Sequence, residues 1–382
     1  MEGRARIETE GGTSPRRGQL AVCVFLASVG SLLTGCLLDL GSLSNGGSSP
    51  SGSSSGSGGS GGSGGEGGQA SCPLLDCTCA SEPRVLAAGP MAADSPRGIV
   101  ATSDGVYWVN QQSNEVRRLS GGGGPSELLT ATLAPVAIAV TDGTVVWTAA
   151  DGVHACLASS CSSSQHLVFA STVTGSLRDV AFDGQLIAWT DQGTGNQDGK
   201  TRVCPLGGAC TPNDLDTQLS APQGLAFHES SVFWVDQGNG NQNGNVHSEL
   251  KVGGNYAQLA ASLDLPTGIA VDDTYVYWTS WVPSGHVYRC AYASSPCDTP
   301  EDVAPAAGAL ARPYDIQVAE GRIYWSNTDD GSIMSCPQPG CGTDQPAVHV
   351  TGRQGLHRLA VGASCLFWTE DSGGGAVLKL AR

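Results

Sequence analysis

One short phrase recurs seven times between residues 96 and 368 of this 382-residue chain. Each copy has a turn residue, an apolar run, a polar break, two apolar residues and a tryptophan. The tryptophans lie 39 to 47 residues apart, which leaves room for one four-stranded antiparallel sheet per copy. A repeat of this length, with β-branched and aromatic runs between Gly, Asp and Ser turns, is typical of a β-propeller. The repeat tryptophans are Trp108, Trp147, Trp189, Trp234, Trp278, Trp325 and Trp368.

The copies predict an all-β fold, a β-propeller of seven four-stranded blades, and a six-bladed ring stays open if one copy is displaced. The last copy is one strand short, whereas residues 83–88 match the fourth strand of other copies. We therefore expect this N-terminal strand to complete the last blade, so that both chain ends close the ring and hide a sheet edge. Because the tryptophans recur once per copy, we interpret them as packing residues between sheets. Trp281 lies outside the pattern and is expected in an exposed loop.

Residues 1–35 predict an export signal. Arg16 and Arg17 precede an apolar run from Leu20 to Leu33, which is too short to span a membrane. The run leads into Leu-Thr-Gly-Cys, ending at Cys36, and this sequence resembles a bacterial lipobox. The resemblance implies that Cys36 is acylated and anchors the protein to a membrane, the alternative being an ordinary secretory signal. The residue after Cys36 is not the Asp that retains lipoproteins at the inner membrane, so family analogy favours the outer membrane.

The next segment, residues 36–70, predicts a disordered tether ahead of a propeller domain at residues 71–382. Of the 23 residues from 46 to 68, 21 are Gly or Ser, a composition that cannot bury a core. The whole chain has a net charge of −16, and removal of residues 1–35 takes away four basic and three acidic residues, leaving −17. Such a charge disfavours nucleic acid and anionic lipid surfaces as partners. Cationic partners or divalent ions are more compatible with it, but we favour the interpretation that the charge keeps the protein soluble. We expect a monomer.

Twelve cysteines follow Cys36, and most form close pairs at one point of the repeat, where a third strand turns into a fourth. An even number of cysteines in an exported chain predicts disulfides. Zinc is disfavoured because the pairs belong to different blades and cannot converge on one tetrahedral ion. The expected bonds are Cys72–Cys77, Cys156–Cys161, Cys204–Cys210, Cys290–Cys297 and Cys336–Cys341, with Cys79–Cys365 joining the two chain ends.

The strand endings IAWTD, VFWVD and VYWTS, each preceded by a segment such as PTGIAVDD, resemble the YWTD repeats of the low-density-lipoprotein-receptor propellers. The resemblance covers residues 82–382 and implies a propeller from a family whose extracellular modules bind proteins. That family usually has six blades, whereas this chain has seven copies. The family's Asp after Trp-Thr is kept at Asp191, and at Asp236 in the variant Trp-Val-Asp. Its inter-blade polar network is therefore expected to be incomplete here.

The innermost strands of a propeller start at the face that also carries the loops between second and third strands. Variable residues at these strand starts should therefore meet the polar loops 191–199, 236–244, 280–285 and 327–331 around the mouth of the central channel. Propellers usually bind their ligands at such a mouth. The alternative is that the loops are solvated turns, which Asn, Gly and Asp favour for conformational reasons. The candidate ligand-binding residues are Arg97, Arg178, Asp179, Gln223, Tyr314, Asp315, His357 and Arg358.

The sequence requires no cofactor. Asp191, Asp198 and Asp236 offer oxygen ligands for calcium in two of the polar loops, but their spacing does not match an EF-hand. We expect a non-catalytic binding or scaffold lipoprotein of the cell envelope, whose mouth binds an envelope or extracellular protein or a glycan.

The alternative function is a metal-dependent hydrolase or lyase of the lactonase type, acting on a small molecule in the channel. It would need a cluster of Glu, Asp and Asn or a positioned His. Asp179, Asp315 and His357 are the only such candidates on the inner strands. A redox quinoprotein is disfavoured because the sequence has no recognisable quinone-docking signature, and the nucleophile-elbow, phosphate-loop and zinc-protease motifs are also missing.

Overall fold

The computed structural model describes Cys77 and residues 82–89, 92–294 and 296–382. The predicted export signal, Cys36 and the tether lie outside the described residues, as do Cys72 and Cys79. Apart from one helix, α1 (Cys161–Ser164), and two short 3-10 turns, the regular structure of the described chain is β-strand. No helix in the described ranges has the length and apolar character needed to cross a membrane.

The strands form seven four-stranded antiparallel sheets, so the prediction of seven blades is confirmed and six blades are excluded. Along the chain, the first strand, β1 (Arg84–Ala88), is followed by six groups of four strands and then by three final strands. Blade 1 contains β2 (Pro96–Thr102), β3 (Gly105–Asn110), β4 (Glu115–Ser120) and β5 (Glu127–Ala131). Blade 2 contains β6 (Ala137–Thr141), β7 (Thr144–Ala149), β8 (Gly152–Leu157) and β9 (His166–Ala170). Blade 3 contains β10 (Leu177–Phe182), β11 (Leu186–Asp191), β12 (Gly199–Pro205) and β13 (Asn213–Leu219).

The remaining blades repeat this order from the innermost strand outward. Blade 4 contains β14 (Pro222–His228), β15 (Ser231–Asp236), β16 (Gly244–Leu250) and β17 (Ala257–Leu263). Blade 5 contains β18 (Pro266–Val271), β19 (Tyr275–Ser280), β20 (Val287–Ala291) and β21 (Glu301–Asp302). Blade 6 contains β22 (Pro313–Ala319), β23 (Arg322–Asn327), β24 (Ser332–Pro337) and β25 (Ala347–Val350). Blade 7 contains β26 (Leu356–Val361), β27 (Cys365–Glu370) and β28 (Ala376–Ala381), with β1 as its outermost strand.

The N-terminal strand closes the ring, as the sequence predicted. Strand β1 pairs antiparallel with β28, from Arg84 opposite Lys379 to Ala88 opposite Ala376. Because β28 would otherwise present an unpaired outer edge, β1 removes the edge that would be open to association.

One disulfide prediction is wrong, because Cys365 bonds to Cys77 and not to Cys79. The predicted Cys72–Cys77 hairpin bond is therefore wrong as well. The backbone N–H of Cys77 donates to Ser364 Oγ at 3.2 Å, which holds Cys77 against the start of β27 instead of in a hairpin loop. The other four predicted bonds are formed, and disulfides of this number indicate an oxidising, exported location.

The core lies between adjacent blades and is built around the repeat tryptophans, which are at most 1% exposed. Trp108 of blade 1 shares a hydrophobic cluster with Phe367 of blade 7, and Trp147 of blade 2 shares one with Tyr107 of blade 1. The prediction that these tryptophans pack between sheets is confirmed. Trp281 is partly buried, so its predicted exposure is wrong.

A second, polar connection between blades comes from the hydroxyl residue that follows the tryptophan in most copies. Thr369 Oγ1 accepts from the backbone N–H of Arg358 at 3.2 Å and donates to the carbonyl of Arg97 in the next blade at 3.0 Å. In blade 1 this position is Val109, and Gly98 N–H instead donates directly to the carbonyl of Val136 at 3.1 Å. These bonds fix the backbone of the residues at the mouth. The same double contact is made by Thr190, Thr279 and Ser326.

Candidate functional site

Two rings of residues at the starts of the innermost strands surround the central channel. The mouth ring comprises the residues at the second position of each copy: Arg97, Val136, Arg178, Gln223, Thr267, Tyr314 and His357. The channel ring comprises the next residue of each copy: Gly98, Ala137, Asp179, Gly224, Gly268, Asp315 and Arg358.

Charged residues of the channel ring form a triad from three blades. Arg358 Nη1 lies 3.3 Å from Asp315 Oδ1, and Arg358 Nη2 lies 3.5 Å from Asp179 Oδ1. The second carboxylate oxygens accept backbone N–H groups of the following blade, from Leu359 to Asp315 at 2.8 Å and from Leu225 to Asp179 at 3.2 Å. The triad therefore ties blades 3, 6 and 7 together across the channel.

The electrostatics of the triad follow from its burial, since the side chains of Asp315, Asp179 and Arg358 are 7%, 13% and 23% exposed. Burial raises the pKa of Asp315, and the Arg358 guanidinium partly offsets this rise. Burial alone would lower the pKa of Arg358, but the two carboxylates raise it above its ordinary value. Arg358 thus stays charged. These three predicted site residues lie one layer below the mouth and engage one another.

The small residues of the channel ring are required by close approach of the inner strands. A Cβ atom on Gly268 would lie 2.5 Å from the carbonyl oxygen of Tyr314, and one on Gly98 would lie 2.9 Å from Ala137 Cα. The channel holds a cavity of about 480 Å³, which is lined by Asp179, Asp315 and Arg358 of this ring and by apolar residues such as Ile99 and Phe227.

The mouth carries a chain of aromatic contacts. The rings of Tyr314 and His357 lie 4.7 Å apart, and Trp281 meets Tyr314 edge-on at 6.1 Å. The guanidinium of Arg312 lies 5.2 Å from the centre of the Trp281 ring. Sequence reasoning missed Trp281 and Arg312 as mouth residues, although Trp281 belongs to the polar loop 280–285 and Arg312 directly precedes the start of β22.

The cations of the mouth differ in their partners. Arg97 is held by Asp371 at 3.0 Å and by Gln111 Oε1 at 3.2 Å. Arg178 Nη1 donates to the carbonyl of Gly175 at 2.9 Å, but no carboxylate among the described residues forms an ion pair with it. Burial lowers the pKa of Arg178, because a desolvated guanidinium without an ion pair loses some of its preference for the charged form. Arg178 is therefore the mouth cation that remains open to an anionic partner.

His357 and Tyr314 are uncharged at neutral pH. Burial lowers the pKa of His357 well below its ordinary value, and the charges of Arg97 and Arg358 lower it further. Burial likewise raises the pKa of Tyr314. The buried Nδ1 of His357 has no hydrogen-bond partner.

Loop residues meet the mouth ring as the sequence predicted. Gln223 Nε2 donates to Gln237 Oε1 at 3.3 Å, and Gln237 Nε2 donates to Thr267 Oγ1 at 2.8 Å. Gln237 belongs to the loop that follows β15, so the second-to-third-strand loop of blade 4 contacts the inner strand of blade 5. A ligand-binding role for the eight predicted residues stays a prediction.

The candidate calcium ligands are each occupied within their own blades. Asp191 accepts from Arg202 Nη1 at 2.7 Å, and Asp198 accepts from the N–H of Thr194 at 2.9 Å. Asp236 accepts the N–H of Ala221 at 2.7 Å. Within the described ranges, no three or more His, Cys, Asp or Glu side chains are grouped so that they could hold a metal ion. Calcium binding by these loops stays a prediction.

Comparisons with known proteins place the chain among β-propellers. No protein-family model and no curated protein matches it. A solved streptogramin B lyase is similar, with 14% identity, a TM-score of 0.61 and coverage of 79% of this chain and 98% of that one. Virginiamycin B lyase from Staphylococcus aureus is 12% identical, with a TM-score of 0.59 and coverage of 79% and 100%.

A third similar structure is the WD40 β-propeller domain of Doa1, with 10% identity, a TM-score of 0.59 and coverage of 78% of this chain and 97% of that one. Identities this low show the fold alone. The chain is therefore a seven-bladed β-propeller protein, a class whose structural neighbours here include both enzymes and a WD40 domain. The resemblance to YWTD repeats stays a prediction.

Proposed function

We propose that this protein is a non-catalytic binding lipoprotein of the cell envelope, which acts as a monomer and binds a protein or a glycan at its mouth. The observation that carries the proposal is the Arg178 guanidinium, which has no carboxylate partner in the described chain and belongs to the same mouth ring as Tyr314 and His357. Arginine beside aromatic side chains is the composition that binding hot spots favour.

The arrangement of the acidic residues supports binding over catalysis. Both carboxylates of the inner strands, Asp179 and Asp315, accept hydrogen bonds from Arg358 or the backbone. In the described chain His357 has no side-chain hydrogen bond to a carboxylate that could orient it as a general base. The charged residues of the channel thus form an ion-paired triad, whereas a lactonase-like hydrolase or lyase would need acid and base groups that are free to react.

The route of the chain into the ring supports display of the mouth. Strand β26 starts at the mouth, and β27 starts at the opposite face with Cys365. Cys77, which is bonded to Cys365, therefore lies at the face opposite the mouth. Acylation of Cys36, anchoring in the outer membrane and a tether at residues 36–70 are part of the proposal.

Crosslinking and pull-down from native envelopes test the binding role. We expect the full-length wild-type chain to recover a partner that Arg178→Gln and Trp281→Leu lose. Arg84→Gln is the matched control, because Arg84 is an exposed arginine on β1, away from the mouth. Equal recovery by wild-type and mouth variants with unchanged circular dichroism would overturn the proposal, as would recovery of no partner by the wild type. Separately, Cys36→Ala should move the protein from the membrane fraction to the soluble fraction.

A further inference from the structure

The hydrogen-bonding groups left without partners at the mouth are nitrogen groups from three blades. Nε1 of Trp281 and Nδ1 of His357 are buried and have no partner, and the Arg178 guanidinium has only carbonyl partners among the described residues. Indole and guanidinium nitrogens can only donate. Arg178 and His357 occupy the same position of the mouth ring in their copies, and Trp281 contacts Tyr314 of that ring, so these groups surround one opening. The mouth therefore has hydrogen-bond donors to spare.

Four carboxylates at or just below the mouth, in contrast, are already paired with arginines. Asp371 binds Arg97 at 3.0 Å, and Asp329 binds Arg312 at 3.1 Å. Asp179 and Asp315 bind Arg358. A ligand that brings oxygen acceptors and negative charge would satisfy the remaining donors.

The aromatic side chains further restrict the chemical class of the ligand. The Trp281, Tyr314 and His357 rings form one connected aromatic surface at the opening that Arg178 also borders. A sugar ring can place its C–H face on such a surface while its carboxylate reaches a guanidinium.

We propose that the mouth ring binds a carboxylate-bearing saccharide of the uronic-acid class, with Arg178 pairing with the carboxylate and Trp281 and Tyr314 contacting the sugar ring. This inference rests on the proposed binding function and names its ligand class. It assigns no role in contact with the ligand to Arg358, which holds the channel triad together.

Calorimetric titration of the purified full-length protein with tetragalacturonate and with tetramannuronate tests this inference. Maltotetraose is the neutral control and tetraglutamate is the acidic-peptide control. We expect at least one uronate to bind at least tenfold more tightly than either control. Binding should change the tryptophan fluorescence, because Trp281 is the one tryptophan of the chain outside the buried repeat set, and Trp281→Phe should remove this change.

Variants of Arg178 test whether binding requires its positive charge or only a correctly folded protein. Arg178→Gln should weaken uronate binding at least tenfold, Arg178→Lys should weaken it less, and Arg84→Gln should leave it unchanged. Circular dichroism identifies any variant that fails to fold, and the lysine variant then carries the test. Absence of saturable binding to both uronates overturns the inference, as does equal binding of maltotetraose or tighter binding of tetraglutamate.

Failure of this inference and failure of the proposed function are distinguishable. If envelope pull-down still yields a partner that Arg178→Gln loses, the mouth binds a ligand of another class and only the uronate inference is overturned. If Arg178→Gln changes neither experiment, the mouth is not the binding face and both are overturned.

Discussion

Single residues with one hydroxyl connect neighbouring blades of this ring. The repeat places Thr or Ser directly after the tryptophan, where the side chain joins the inner strand of its own blade to that of the next. The repeated tryptophan could be assigned to the core from the sequence, because a residue that recurs once in every blade is expected to pack between the sheets. The contacts of the hydroxyl could not be predicted, because its partners are backbone groups and a pattern of side chains carries no information about them.

Thr369→Val tests this hydroxyl contact at the junction between blades 7 and 1. Thr369 is fully buried, so valine keeps the shape but leaves the N–H of Arg358 and the carbonyl of Arg97 without this partner. We expect the free energy of unfolding to fall by about 1–3 kcal/mol. Thr343→Val, at an exposed turn, should change it by less than about 0.5 kcal/mol. Urea unfolding measures both, and equal effects would contradict the role of the hydroxyl.

His247 makes stability depend on pH. Its side chain stacks on Trp234 and bonds Tyr256, and burial lowers its pKa from 6.5 to about 4. Below pH 6.5 the unfolded chain takes up a proton that the folded chain refuses until about pH 4. Stability therefore falls as the pH drops through this window, by about 2 kcal/mol from this group between pH 7 and pH 5.

His247→Phe should remove this component while keeping a ring against Trp234. Urea midpoints measured from pH 8 to pH 5 give the slope for both proteins. At pH 8 the histidine is neutral in both states, so the difference there reports the lost contact with Tyr256 and the changed packing, and not titration. Identical slopes would show that His247 does not titrate in this way.

The triad of Asp179, Asp315 and Arg358 shows where residue-level prediction stops. The sequence identified all three as inner-strand residues outside the framework, and the structure places them in the channel. Their mutual pairing could not be predicted, because blades 3, 6 and 7 meet only after the ring has closed. Distances across a channel are set by the number of blades and not by any local pattern.

Among the elements, β1 closes the ring with five residues, because it supplies the fourth strand of blade 7. Its position was predictable because a blade with three strands needs a fourth, and residues 83–88 had the matching pattern. The disulfide partner of Cys365 was not predictable. Cys77 lies next to Cys365 because its N–H donates to Ser364, and repeat spacing carries no information about that contact.

Deletion of residues 71–89 tests the role of β1. Strand β28 would then expose unpaired backbone N–H and C=O groups along its outer edge, and such edges associate. We expect light scattering to show dimers or larger species. The matched control lacks residues 46–68, keeps β1 and should stay monomeric. Both chains carry Cys365→Ser, and the control also carries Cys72→Ser, Cys77→Ser and Cys79→Ser, so that free thiols do not link chains. A monomeric deletion variant would contradict this role.

Across the whole molecule, closure joins residues that are far apart in sequence. The Cys77–Cys365 bond has a sequence separation of 288, whereas Cys156–Cys161 has a separation of 5. In the chain-entropy model the stabilisation grows with the logarithm of the loop length. The double variant Cys77→Ser/Cys365→Ser should therefore lose about 5 kcal/mol, against about 2 kcal/mol for Cys156→Ser/Cys161→Ser. Denaturant unfolding compares the two, and equal losses would contradict a ring-closing effect.

The bond between Cys77 and Cys365 also decides how the ring carries mechanical tension. Cys77 precedes β1, and Cys365 is the first residue of β27, which is hydrogen-bonded on both sides by β26 and β28. A force applied to the chain upstream of Cys77 therefore passes through a covalent bond into an inner strand of blade 7. Strand β1 does not bear this force, so the force does not separate the outermost strand from the blade.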